Sequence, residues 1–187
     1  MSLLVTGIAL FCLVHLFPSL APSLRDRLVS GLGQNPYKAV FSLLILGGLV
    51  LIVFGWKAAV PRSLYVPPLA PGLLASVLVF VGLVLFFAAQ LRGYLKRILR
   101  HPQMLGTVLW ATAHLLTNGD SRSVILFGGL TVWAALAIVL INRREGARVK
   151  PEPVARRKDV IAVVAGIVVY AIVAGAHRWL FGVSPFV

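Results

Sequence analysis

Charged residues in this chain come in clusters, and the clusters are separated by uncharged apolar runs long enough to cross a lipid bilayer. Six runs can be delimited: Ser2 to Leu20, Lys38 to Lys57, Gly72 to Leu91, Arg100 to Asp120, Arg122 to Arg143, and Asp159 to Arg178. The third follows a breaker stretch, Pro67-Pro68 and Pro71. Each run holds about 18–20 residues, which at ~1.5 Å per residue matches a hydrocarbon core of ~30 Å. With 59% of its 187 residues hydrophobic and 12% charged, the chain is too apolar for an ordinary soluble domain. The expectation is an all-α fold, a polytopic membrane bundle of about six transmembrane helices. One transmembrane domain would span 1–187, with a mobile basic cytoplasmic loop at 142–159. The first run lacks a basic start, and His15 and Pro18 interrupt it, so it reads as a retained helix and not a cleaved signal peptide.

The formal net charge of +13 raises the question of nucleic acid. The Lys and Arg residues sit at the ends of the apolar runs, where the positive-inside rule puts them, and no aromatic-interleaved basic motif is present. Nucleic acid is therefore not an expected partner, whereas the bilayer is. Fourteen Lys and Arg follow runs one, three and five: Arg25, Arg27, Lys38, then Arg92, Lys96, Arg97, Arg100, then Arg143, Arg144, Arg148, Lys150, Arg156, Arg157 and Lys158. Four lie on the other side: Lys57, Arg62, Arg122 and Arg178. This imbalance puts the first set in the cytoplasm and both termini outside, in the periplasm of a Gram-negative cell. A single cysteine, Cys12, rules out an intramolecular disulfide, and no glycine-rich phosphate loop, CxxC or HExxH motif occurs.

Polar side chains inside apolar runs are costly and mark function or helix pairing. In run four, Gln103, Thr107, Trp110, His114 and Asn118 recur every three or four residues and line one helix face. For Gln103, Thr107 and Asn118 the plainer explanation is interhelical hydrogen bonding. Trp110 fills space or packs on a bound group. His114 is a nitrogen ligand suited to a dry site, and His15 in run one is its natural partner. Counted from Arg25 and Arg100, the two imidazoles lie about 15 and 21 Å from the cytoplasmic boundary, near mid-bilayer. Depth alone leaves open a shared cofactor or two separately bonded histidines. Cys12, three residues from His15, is an apolar filler or a cofactor contact. His101, before Pro102, is a helix-start residue or a propionate or substrate contact, and His177 beside Trp179 is an interfacial anchor.

The segment Arg100-His101-Pro102-Gln103-Met104-Leu105-Gly106, continuing through Trp110-Ala111-Thr112-Ala113-His114 to Asn118-Gly119-Asp120, resembles the NnrU family. So does His15-Leu16-Phe17-Pro18-Ser19, followed by Arg25 and Gly33-Gln34-Asn35-Pro36-Tyr37-Lys38. NnrU proteins are bacterial membrane proteins associated with nitric oxide and nitrite metabolism. They are related to zeta-carotene isomerase, a membrane enzyme that carries haem b. That resemblance implies haem b held by metal ligands His15 and His114. Arg100, His101, Thr107, Trp110, Asn118 and Cys12, read from the residues, are the candidate contacts around it. The isomerase has a cysteine three residues before its second histidine; here that residue is Ala111, so isomerase-like ligand exchange has no counterpart at this position. Iron held by two histidines is six-coordinate and suits electron transfer or redox sensing.

A weaker resemblance links Arg100-His101-Pro102 and Gly106 to membrane methyltransferases. Their downstream acidic pair is lacking, since only Glu145, Glu152 and Asp159 follow Asp120. The readings carried forward are a haem protein supporting denitrification beside respiratory or denitrification complexes, a haem-dependent isomerase of a polyene lipid, and a haem-free assembly factor. The orientation is testable directly. Cysteines introduced near Arg148 should be shielded from an impermeant maleimide in intact cells, and cysteines near Ser184 should react; the reverse pattern would invert the topology.

Overall fold

A computed structural model describes residues 1–68, 72–91, 93–152 and 156–186. Pro71 and Arg92 fall outside the described residues. The described residues are mostly helical, with one isolated antiparallel bridge between Ser63 and Asp120. Two compact units form: Met1–Leu64 with Asp120–Glu145, and Tyr65–Gly119 with Gly146–Val187.

In unit one, α1 (Ser2–Leu20) and α3 (Gln34–Ala58) pack antiparallel, joined by α2 (Pro22–Leu32). The crossing depends on glycine. A Cβ on Gly7 would come within 2.7 Å of the Ile52 amide, and one on Gly55 would land on the Leu4 backbone. In lipid there is no hydrophobic drive between helices, so backbones that approach this closely gain their contact from packing. The third long element, α7 (Ser121–Glu145), widens into a π-turn at Val124–Gly128 before continuing as α-helix. Asp120 caps its start: Oδ1 accepts from the Arg122 and Ser123 amides at 2.9 and 3.2 Å, and Oδ2 accepts from Ser123 Oγ at 2.6 Å. Burial raises the Asp120 carboxyl, but these bonds outweigh it and hold the group below the usual carboxylate range. The helix α2 was hidden in a run of charges. It has no buried residue, and Leu24, Leu28 and Leu32 stand exposed along one face, as on a helix lying at a membrane surface.

In unit two, α4 (Leu73–Gln90) pairs with α6 (Pro102–Thr117), and α8 (Arg157–Phe181) packs on α4. Again the crossing is glycine on glycine: a Cβ on Gly82 would sit 2.8 Å from the Gly106 carbonyl oxygen, and one on Gly106 would sit 2.5 Å from that of Gly82. A short helix, α5 (Tyr94–Ile98), precedes α6. Its first amides, Tyr94 and Leu95, donate to the Asp159 carboxylate at 2.8 and 2.9 Å.

Five helices, α1, α3, α4, α7 and α8, are long and apolar enough to span a bilayer, which makes this a multi-pass membrane protein. The fourth apolar run differs: α6 holds 16 residues, about 24 Å at ~1.5 Å per residue. It stops short because Tyr65 takes over its end. The Tyr65 hydroxyl donates to the carbonyls of Leu115 and Asn118, the latter at 2.9 Å, and the Tyr65 amide donates to Gly119 O at 3.2 Å. Carbonyls left without partners at a helix end are thus satisfied by protein, which lets irregular backbone exist there.

Both ends of the basic stretch 142–159 are helical: the preceding helix runs to Glu145 and the following one starts at Arg157. Arg143 and Arg144 form the last turn of α7, and Arg144 bonds Pro18 O and Ser19 Oγ. Arg148 donates to the carbonyls of Lys96, Arg97 and Ile98, and Arg97 donates to Pro151 O. Guanidiniums here reach carbonyls that helix ends leave over.

The helix crossings generate a prediction. Gly55→Ala should destabilise the detergent-solubilised protein by about 1–3 kcal/mol, because neither backbone can yield. Gly47→Ala, where a Cβ meets open space, should leave stability unchanged. Unfolding by titration with a denaturing detergent would separate the two.

Candidate functional site

His15 lies one turn from the end of α1, in unit one. Its Nδ1 is 2.9 Å from the carbonyl oxygen of Phe11. A carbonyl can only accept, so Nδ1 carries the proton, and in the neutral ring the lone pair is on Nε2. Three aromatic rings surround the imidazole: Phe11 on the same helix at a centroid distance of 4.2 Å, Trp133 from α7 at 5.3 Å, and Phe41 from α3 at 5.7 Å. Cys12 is a half-buried free thiol one turn back. Because α1 stops at Leu20 and Pro22 begins a new helix, the residue count from His15 to Arg25 does not measure depth along one axis.

In unit two, α6 repeats the same local device. His114 Nδ1 lies 2.8 Å from the Trp110 carbonyl oxygen, and the Trp110 ring stands 4.9 Å from the imidazole. The tautomer is therefore the same, with the lone pair on Nε2. Each histidine thus follows an aromatic residue by four positions and is oriented by that residue's carbonyl. His15 belongs to unit one and His114 to unit two.

The remaining polar residues of the stripe serve α6 itself. Thr107 Oγ1 donates to Gln103 O at 3.0 Å, Asn118 Nδ2 donates to His114 O at 2.9 Å, and Gln103 pairs with Gln90 of α4 at 3.3 Å. Gln103 thus makes the interhelical bond expected of it, whereas Thr107 and Asn118 bond carbonyls of their own helix instead. His101 occupies the residue before the helix, its carbonyl accepting from Leu105 N at 3.0 Å, with Pro102 in the first turn. Arg100 Nη1 donates to Gly146 O at 2.9 Å, which sets it at the start of α6, outside the apolar run. His177 on α8 donates through Nδ1 to Val183 O at 2.8 Å and packs on Phe181. It also lies close enough to His114 to interact electrostatically, a relation its position in the sequence did not suggest.

Trp133 is the residue that sequence reading passed over. It is 7% exposed, contacts both His15 and Phe11, and its Nε1 is buried with no acceptor among the described residues. A signal did exist. Tryptophan in membrane proteins favours the interface, so one in the middle of an apolar run, carrying an N–H that wants a partner, is out of its usual place.

A family profile described as NnrU protein matches residues 3–185. The chain belongs to the NnrU family. Among curated proteins and among solved structures, none matches it at the level counted as significant. In this NnrU chain, no group of three or more His, Cys, Asp or Glu converges among the described residues as it would around a metal ion held by protein alone. A haem, which brings four nitrogens of its own, asks the protein for one or two axial ligands only. The donor chemistry of each unit fits that demand: one histidine with a backbone-bonded Nδ1 and its ring lone pair on Nε2. The buried Trp133 N–H adds a polar atom whose acceptor the described residues do not supply.

Proposed function

We propose that this NnrU protein is a haem-b-binding protein of the bacterial inner membrane, with both termini periplasmic, that supports denitrification or nitric oxide metabolism. The observation that carries the reading is the repeated arrangement at His15 and His114. A metal-ligating histidine characteristically donates its other ring N–H to a carbonyl or carboxylate, which fixes the tautomer and aims the ligating nitrogen. Both histidines in apolar helices have that preparation. The aromatic residues Phe11, Phe41 and Trp133 around His15, and Trp110 beside His114, offer flat apolar surfaces suited to a macrocycle.

When bound, a haem held by His15 and His114 would supply one-electron chemistry. The chain's own part is to hold and orient the ligands, keep water out, and meet the charge of the propionates. Arg100, just outside the apolar run, is the residue suited to that charge, since guanidinium recognises carboxylate through paired N–H donors. A methyltransferase reading is less well supported, because Asp159 commits both carboxylate oxygens to the amides of α5.

Purified protein from haem-replete cells should show a Soret band that sharpens and shifts on reduction. His15→Ala and His114→Ala should each lose the haem or turn it high-spin while remaining inserted in the membrane. A colourless wild type, or an unchanged low-spin spectrum in His15→Ala, would overturn the assignment.

A second comparison addresses the propionates. Arg100→Ala should lower haem retention several-fold, and Lys150→Ala, which alters an exposed loop residue, should not. Equal retention in the two would remove Arg100 from the site.

A further inference from the structure

Among the described residues, three buried side-chain polar atoms of unit one lack a hydrogen-bond partner, Tyr37 Oη, Arg122 Nε and the indole N–H of Trp133, and the last stands beside His15. A buried donor without an acceptor carries its full desolvation cost, and native structures leave few of them. Trp133 is 7% exposed, so water does not readily relieve it. Its ring neighbours offer little. Phe11 carries no polar side-chain atom, and Nδ1 of His15 is already committed to the Phe11 carbonyl. The one ring lone pair in this group is Nε2 of His15, and that is the lone pair an axial ligand gives to iron.

We propose that Trp133 is a positioning residue that donates its N–H to a propionate carboxylate of the haem held at His15. The proposal rests on the haem reading above. Its logic is the chemistry of the ligand: the periphery of haem b is hydrocarbon except for two propionates, so these are its strong hydrogen-bond acceptors. A carboxylate carried into an apolar enclosure needs donors, and a buried tryptophan needs an acceptor. The two needs cancel in one bond, and that bond is of the charge-assisted kind. The bond would fix the rotation of the macrocycle about the iron–His15 axis, which axial ligation by itself leaves free.

The test titrates the apoprotein in detergent with two porphyrins: protohaem, and etiohaem, in which ethyl groups replace both propionates. Two variants are compared with wild type. One is Trp133→Phe. The other carries 3-benzothienylalanine at position 133, which keeps the shape of the indole but has sulfur where the N–H was, so a folding defect in the phenylalanine variant does not decide the outcome. Both variants should bind protohaem about tenfold or more weakly than wild type, the scale of one hydrogen bond to a charged group. Both should bind etiohaem as wild type does. In resonance Raman spectra of the protohaem complex, the propionate bending mode should shift in the variants. Unchanged protohaem affinity would overturn the assignment, and so would equal losses with the two porphyrins, which would make Trp133 a packing residue. Wild-type protein that binds neither porphyrin would overturn the haem reading itself, a result distinguishable because it precedes any comparison of variants.

Discussion

Hydrocarbon gives a backbone amide or carbonyl nothing to bond to, and every element of this protein answers that fact. Long runs become helices because a helix pairs its own backbone. The harder problem lies at helix ends, where unpaired groups remain. Here the chain provides its own partners: Asp120 for the start of α7, Asp159 for the start of α5, and Tyr65 for the end of α6. Arg148 does the same for three carbonyls around the end of α5. With the ends provided for, helix pairing falls to close backbone contact, and the glycines at positions 7, 55, 82 and 106 allow it.

Much of this architecture was legible in the sequence because a membrane leaves few options. Five of the six apolar runs became helices of spanning length, since charge clusters and breakers bound them as the bilayer does. The sequence was less informative where tertiary partners decide the outcome. The fourth run gave a shorter helix because Tyr65, which precedes it by an entire helix, bonds its end. The helices α2 and α5 have no signature in the sequence, because a short helix among charged residues has no long apolar run to announce it. The extent of the basic loop was overestimated for a related reason. Arg143 and Arg144 look like loop charges in the sequence, yet each continues α7 by one residue of an already formed helix.

The site divides in the same way. His15 and His114 stood out because an imidazole inside an apolar run is conspicuous, and the bond from each ring to the carbonyl four residues back is local. The stripe Gln103, Thr107 and Asn118 was legible as well, because its periodicity is that of the helix. Trp133 was not. Its significance lies in an N–H that lacks an acceptor and in a histidine far away in the chain, and neither follows from neighbouring residues. A count of residues to the nearest charge also proved a poor ruler, since α1 ends before Arg25 and the chain turns into α2.

Unit one is assembled from two separated stretches of chain, and this bears on how the protein is made. The helices α1 and α3 leave the ribosome early, but α7 follows only after α4, α5 and α6 have been synthesised. During that interval His15 has Phe11 and Phe41 beside it and lacks Trp133. The aromatic surround of the first histidine is thus completed only by a helix made later than the two that carry Phe11 and Phe41.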